Sequence, residues 1–373
     1  MLALDYQNVT EEEMMEAAKL ASKYGVSTAS PIVNAFELKI ANILDTSPSN
    51  VVATNSGTSA LHLALIGAGV KPGDRVVVPV LTFASTLNAI SYVGAEPVFC
   101  DVNKDTWLMN TSSLAWTLAM EFTGYEWFKF IMPVDLYGNL VDTADILDYY
   151  NYMPKVILDS AESFGVREPG YADFTCFSFN GNKVITTGGG GLLLGGWIPV
   201  GDNWERSNQR NNADLLRKLS TQAKNTDGSH FDIGFNYRMP GINAAIGLGQ
   251  LDRLDSFLST KRRINQIYKE ELSEILTFQK ETPGSVSSWW FTAALWPEGT
   301  DIEEVQKRLQ SENVPTRRIF RPLNQSKPWR DEKRYPVAEM IYQRGLCLPG
   351  STRMDDIDVY YVVEKVKEIV YEK

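Results

Sequence analysis

A single lysine, Lys183, closes the run Phe177-Ser178-Phe179-Asn180-Gly181-Asn182-Lys183, and behind it come Val184-Ile185-Thr186-Thr187 and the glycines Gly188 to Gly191. An aromatic and β-branched stretch that ends in small polar residues is followed here by glycines with no side chains of their own. The lysine therefore lies where backbone passes close to something else, such as a bound cofactor. In that place a lysine can be a nucleophilic amine that forms a Schiff base, a phosphate ligand, or a surface charge at a strand end. Two other stretches bear on the choice. Val156-Ile157-Leu158-Asp159-Ser160-Ala161-Glu162-Ser163 reads as a short buried strand whose end delivers Asp159, three residues before Glu162. Thr54-Asn55-Ser56-Gly57-Thr58-Ser59 joins a strand to a helix over 60–66, and a small-residue turn at a helix N-terminus offers free N–H groups and a positive dipole end to a phosphate. A phosphate cradle, a carboxylate that can keep a ring nitrogen protonated, and an amine that can form an imine are together the requirements of pyridoxal phosphate.

On these residues the chain resembles the DegT/DnrJ-type nucleotide-sugar aminotransferases of the fold-type I pyridoxal-phosphate class. Five stretches carry the resemblance in order: Asn55 to Leu63, Pro79-Val80-Leu81-Thr82-Phe83, Asp159 to Ser163, Ser178 to Lys183, and Gly234-Phe235-Asn236-Tyr237-Arg238-Met239. The resemblance implies that Lys183 and Asp159 are the catalytic pair. It also implies that Gly57, Thr58, Ser59 and Ser178 hold the cofactor phosphate, that Phe83 stacks on the ring, and that Glu162 faces the ring hydroxyl or the sugar. Asn236 would reach the phosphate of the neighbouring subunit, giving a homodimer with shared active sites. The implied reaction moves an amino group from glutamate to a nucleotide-linked keto-sugar, with pyridoxamine phosphate as the carrier form between half-reactions.

Asn180 and the extra glycine of Gly188 to Gly191, with Leu219 to Lys224, resemble the branch that aminates 4-keto-6-deoxy sugars for bacillosamine or legionaminic acid. Three positions depart from the family. Asp135, in Val134-Asp135-Leu136-Tyr137-Gly138, stands where histidine is frequent and reads as a structural loop carboxylate. Gly189 replaces a glutamate, and the stretch from Phe164 to Asp173 is short. His230 occupies the place of a family histidine, without a metal-ligand partner. A sugar 3-aminotransferase, the family's dehydratase and a fold-retaining regulatory protein are the alternatives. The dehydratase carries histidine at the lysine position, so Lys183 speaks against it.

Positioning these groups calls for a parallel sheet. From Val51 onward, short apolar runs alternate with amphipathic helices, which predicts strands near Val51–Ala53, Val76–Val80, Val98–Val102, Lys129–Pro133, Val156–Asp159 and Thr175–Phe179. Ligands collect at the carboxyl ends of such strands, where Asn55, Phe83 and Asp159 fall. Before the sheet, Thr10-Glu11-Glu12-Glu13 is a capping box and Ser30-Pro31 starts a second helix. The stretch from Trp197 to Leu219 reads as an irregular turn leading into a helix. After Pro240 one long helix runs through Leu251, Leu254 and Ile264, and a capping box at Thr300-Asp301-Ile302-Glu303 opens another. The expected architecture is α/β, a large mostly parallel sheet of the seven-stranded type sandwiched by helices, aspartate-aminotransferase-like. A cofactor-binding domain would span 1–240, and the linking helix with a smaller α+β domain would span 241–373.

Composition sets the outer bounds. With 373 residues, 44% hydrophobic and 22% charged, the chain is an ordinary globular protein of more than one core. A net charge of −10 argues against nucleic acid or an anionic membrane as partner, yet leaves room for an anionic small substrate in a local pocket. Three scattered cysteines predict no disulfide framework and fit a reducing, cytoplasmic setting, and two histidines leave little for a metal site. No apolar run approaches the ~20 residues of a membrane span.

Overall fold

The computed structural model describes residues 2, 4, 8–121, 128–149, 154–168, 171–195 and 212–371. Thr10 and Glu13 cap each other reciprocally to open α1 (Glu11–Tyr24), and Ser30 caps α2 (Pro31–Ile43), whose Val33, Phe36 and Ile40 face the core. The chain then alternates through β1 (Val51–Thr54), α3 (Gly57–Ala68), β2 (Arg75–Pro79), α4 (Ala84–Tyr92), β3 (Glu96–Cys100), α5 (Thr111–Glu121), β4 (Phe130–Ile131), α6 (Thr143–Tyr149), β5 (Lys155–Asp159), β6 (Phe174–Ser178) and β7 (Gly191–Gly195). These strands form one sheet in the order β1-β7-β6-β5-β4-β2-β3, and only β7 runs against the rest. Crossover helices cover the sheet, so the strands are buried on both faces and read as apolar runs such as Val76-Val77-Val78.

The expected mostly parallel sheet is present, but the sequence reading had no strand at β7. Its buried triplet Leu192-Leu193-Leu194 follows directly on the glycine run, whose lack of side chains hides the strand's start. The last of those glycines has a structural reason. A Cβ on Gly191 would lie 2.4 Å from the carbonyl carbon of Ser56, because β7 passes directly against the first turn of α3.

Beyond the segment 196–211, which lies outside the described residues and holds most of the expected turn from Trp197, come α7 (Asn212–Leu219), α8 (Gly241–Asp252) and α9 (Leu254–Leu272). The single long helix expected after Pro240 is thus two. Arg253 leaves the helical basin at φ −108°, ψ 3°, and its guanidinium reaches the Asn8 carbonyl and Glu13 Oε2, both at 3.0 Å. The remainder is an antiparallel sheet ordered β10-β11-β9-β8, built from β8 (Thr277–Phe278), β9 (Thr292–Leu295), β10 (Arg317–Arg318) and β11 (Gly345–Leu348). With it pack α10 (Ile302–Ser311), α11 (Pro336–Arg344) and α12 (Asp356–Tyr371). At α10 the cap is Asp301 alone, whose carboxylate accepts from the N–H groups of Glu303 and Glu304; the box expected from Thr300 to Glu303 is one residue out of register. No helix among the described residues is long and apolar enough to cross a membrane.

Gly191→Ala should destabilise the protein by about 1–3 kcal/mol, because its methyl group meets backbone that has no side-chain freedom with which to yield. Urea unfolding checks it, and a midpoint equal to that of the parent would show that β7 and α3 can move apart at little cost.

Candidate functional site

The carboxyl ends of the parallel strands open onto one cleft. Strand β5 ends in Asp159, β6 ends in Ser178, and the connection from β1 supplies the first turn of α3. The cleft is lined by Gly57, Thr58, Phe83, Asp159, Glu162, Ser178 and Lys183 from the expected set. Ser59 and Asn236 are not on its wall. The Ser59 hydroxyl donates to Asn55 Oδ1 at 2.7 Å, and its N–H is taken by the capping Ser56 hydroxyl. Asn236 is exposed; its backbone carbonyl accepts from Asn55 Nδ2 at 3.0 Å, so its loop is fastened beside the cleft while its side chain meets solvent.

Helix α3 starts with an anion cradle. Ser56 caps the N–H of Ser59 and leaves those of Gly57 and Thr58 without an acceptor among the described residues. Gly57 must be glycine for the cradle to exist: a Cβ there would sit 2.9 Å from the Ser178 Cβ and 3.2 Å from its hydroxyl oxygen. Free N–H groups at a positive helix end, with a serine hydroxyl beside them, suit a phosphate.

Three ionisable groups share the floor. Lys183 Nζ lies 3.4 Å from Glu162 Oε1 and 3.9 Å from the centre of the Trp290 ring. Burial pushes the Lys183 ammonium below its ordinary range, against the pull of Glu162 and then Asp159. Burial likewise raises Glu162, opposed by Lys183 and by the Tyr137 N–H, which donates to Glu162 Oε2 at 2.7 Å. Asp159 is raised by burial too, held down chiefly by the Thr86 hydroxyl at 2.7 Å and the Ala161 N–H at 3.1 Å. A buried carboxyl pushed toward its neutral form is a site that a cationic ring nitrogen would restore to a carboxylate. Cradle, carboxyl and amine thus fit pyridoxal phosphate on the chemistry of the donors themselves.

The turn that carries Asp159 and Glu162 is fixed from behind by Asp135. This fully buried carboxylate accepts from the hydroxyls of Ser160 at 2.8 Å and Ser163 at 2.7 Å, from the Val141 N–H at 2.9 Å, and from the forked guanidinium of Arg167. Asp135 is therefore the structural loop carboxylate the sequence suggests. His230 is exposed, bonded through Nδ1 to the Gln222 carbonyl, and does not line the cleft. Phe83 is half exposed at the mouth, its ring centre 5.6 Å from that of Phe320. Sequence reasoning did not single out Trp290, Thr86 or Tyr137, which contact the floor from elsewhere in the chain. Arg317, at the start of β10, also reaches the cleft wall.

Comparison with known proteins places this geometry. The model of the DegT/DnrJ/EryC1/StrS aminotransferase family matches residues 8–367. The chain is 33% identical over 358 residues to a GDP-perosamine synthase of Escherichia coli O157:H7, covering 93% of each chain. It is 28% identical over 352 residues to a dTDP-4-dehydro-2,3,6-trideoxy-D-glucose 4-aminotransferase of Saccharopolyspora spinosa, covering 91% of this chain and 89% of that one. Among solved structures, a Streptococcus pneumoniae protein assigned as a sugar aminotransferase, in its pyridoxal-phosphate form, superposes with a TM-score of 0.85 at 26% identity, over 100% of this chain and 99% of that one.

Glu162→Gln should keep an acceptor for the Tyr137 N–H but remove the largest influence holding Lys183 protonated, so the Lys183 pKa falls further. The pH dependence of reductive methylation of Lys183 in cofactor-free protein, read by peptide mass spectrometry, measures this. A midpoint unchanged or moved to higher pH would show that Glu162 does not govern the amine.

Proposed function

We propose that this chain, which belongs to the DegT/DnrJ/EryC1/StrS aminotransferase family, transfers an amino group from L-glutamate to the ketone of a nucleotide-linked 4-keto-6-deoxy sugar. It is an enzyme, a pyridoxal-phosphate-dependent transaminase. The observation that carries the substrate-level reading is the convergence of Lys183, Asp159, Glu162 and the α3 N-terminus on one cleft of a chain alike to sugar aminotransferases along its whole length. A relative named for a 4-keto sugar supports C4 as the aminated carbon, and one named for a GDP-linked amino sugar supports GDP as the carrier. UDP is the other carrier to test, because Asn180 and the glycine run resemble the bacillosamine and legionaminic-acid branch. The three cysteines are free and buried, which fits a cytoplasmic setting.

Each side chain then has a task. Gly57 and Thr58 would hold the phosphate through their N–H groups, joined by the Ser178 hydroxyl, while Ser59 keeps the cap in shape through Asn55. Phe83, at the mouth, would pack against the cofactor. Asp159, oriented by Thr86, would hold a proton on the ring nitrogen. When bound, pyridoxal phosphate supplies a sink for the electron pair left at the donor α-carbon and carries the amino group between the two substrates. Lys183 takes the proton from that carbon in the first half-reaction and returns one to the former ketone carbon in the second. Burial favours its neutral, basic form, as a general base near neutral pH requires. Glu162 sets how readily it does so.

The assembly is read as a homodimer with shared sites. Asn236 is exposed on a loop fastened beside the cleft, and the same loop presents Phe231 and Ile233 to solvent, the latter 84% exposed. An apolar rim beside an exposed polar side chain that does not line its own cleft fits delivery of Asn236 to a second copy.

The function is tested by incubating the loaded protein with glutamate and a panel of GDP- and UDP-linked 4-keto-6-deoxy and 3-keto sugars. Release of 2-oxoglutarate and an amino-sugar product are expected with the 4-keto compounds, and neither with Lys183→Ala. Reaction with 3-keto sugars alone would overturn the C4 assignment. For the dimer, mixing inactive Lys183→Ala with an inactive Asn236→Trp variant should partly restore activity, since one site of the hybrid carries neither lesion. No recovery despite demonstrated subunit exchange would mean that each site is self-contained.

A further inference from the structure

We infer that Tyr137 is a positioning residue for the acceptor side of the cleft, tying the segment from Arg317 to Leu323 to Glu162. The inference rests on the reading above that the cleft receives a nucleotide-linked sugar.

Tyr137 is fully buried, and its backbone sits at φ 58°, ψ 19°. A residue with a bulky side chain takes that left-handed conformation only where its surroundings hold it there. Two hydrogen bonds do so from opposite sides. Its own N–H donates to Glu162 Oε2 at 2.7 Å, and its phenol oxygen accepts from the Phe320 N–H at 2.9 Å. Between them the ring lies near-parallel to Phe320 at 5.3 Å and to Trp290 at 6.3 Å, the same Trp290 whose ring faces Lys183. One residue thus touches the carboxylate beside the reactive amine and the segment that forms the facing wall.

That wall carries the anion-binding capacity left over after the α3 cradle. Arg317 lines the cleft, has no acidic partner among the described residues, and lies 5.1 Å from the Phe320 ring centre and 5.9 Å from that of Trp290. A forked cation spread over aromatic faces suits the phosphates of a nucleotide-linked sugar. Its backbone is held in β10, where Arg317 pairs with Cys347 of β11, and beyond that strand the wall has few ties: Ile319 N–H to the Gly345 carbonyl at 3.4 Å, Phe320 N–H to Tyr137, and Leu323 N–H to the Val80 carbonyl at 3.0 Å. The first is long, and Pro322 has no N–H to offer. The Tyr137 oxygen is therefore the first firm tie beyond β10, and it fixes the Phe320 ring over which the Arg317 guanidinium lies.

Tyr137→Phe isolates this role, because it keeps the ring stack and the N–H to Glu162 but leaves the buried Phe320 N–H without an acceptor. Amide exchange in the peptide spanning 319–323 of the cofactor-free protein should become faster while β10 and the strands of the large sheet keep their protection. In single-turnover experiments on the loaded enzyme, the glutamate half-reaction should stay within about twofold of the parent. The KM of the keto-sugar half-reaction should rise about tenfold with little change in its saturating rate, the scale expected for one orphaned buried donor. Parental exchange in 319–323, or equal losses in both half-reactions, would overturn the inference. Faster exchange in a protein whose parent aminates none of the keto-sugars would instead overturn the substrate reading on which it rests.

Discussion

The structure turns on the burial of two carboxyls and one amine in a single cleft. Water would keep all three charged; here Asp159 and Glu162 are pushed up and Lys183 down by the loss of solvent. Opposite charges at short range offset part of that penalty, which is why Glu162 and Lys183 face each other. The offset holds only if the groups cannot swing away, so their carriers must be rigid. Asp135 meets that demand from behind the floor: its carboxylate takes five donors from Val141, Ser160, Ser163 and Arg167 and pins the turn between Asp159 and Glu162. A charge this deep is tolerable only with such saturation of its oxygens.

Closeness of backbone is the second constraint. A helix N-terminus can act as an anion cradle only if nothing fills the space before it. Gly57 against Ser178 and Gly191 against Ser56 keep that space at the meeting of α3, β6 and β7. The last glycines of the run, Gly190 and Gly191, are thus explained by what they lie against, where β7 runs antiparallel between β1 and β6.

Much of this was legible in the sequence, and for identifiable reasons. Asp159, Ser178 and the turn before α3 sit at strand ends marked by apolar runs, so local pattern places them on one edge of the sheet. Thr10 with Glu13 and Ser30 with Pro31 announce their helices through capping chemistry that is local as well. What escaped is non-local or masked by composition. β7 begins in glycine, the break at Arg253 is set by contacts with Asn8 and Glu13 some 240 positions earlier, and Thr86 serves Asp159 across 73 residues. Trp290 stands 108 residues from Asn182, to whose carbonyl it donates. No spacing rule joins such pairs before the fold is known.

Those non-local partners divide the cleft between two parts of the chain. The sheet supplies the groups that bear or exchange charge, Asp159 at the end of β5 and Glu162 and Lys183 in the short connections that follow β5 and β6. The later segment supplies Trp290, Arg317 and Phe320, an aromatic and cationic wall in which Arg317 is held by β10 and Phe320 by its N–H bond to the Tyr137 side chain. Such a partition separates the groups that exchange protons from the wall that faces them, with Trp290 in contact with both. It also explains why the aromatic wall belongs here: Trp290 over Lys183 excludes water from the amine, and a drier site strengthens every charge interaction on the floor. The residue joining the two parts is Tyr137, held in the left-handed backbone region by bonds to both, so the shape of the facing wall is referred back to the carboxylate that tunes the amine.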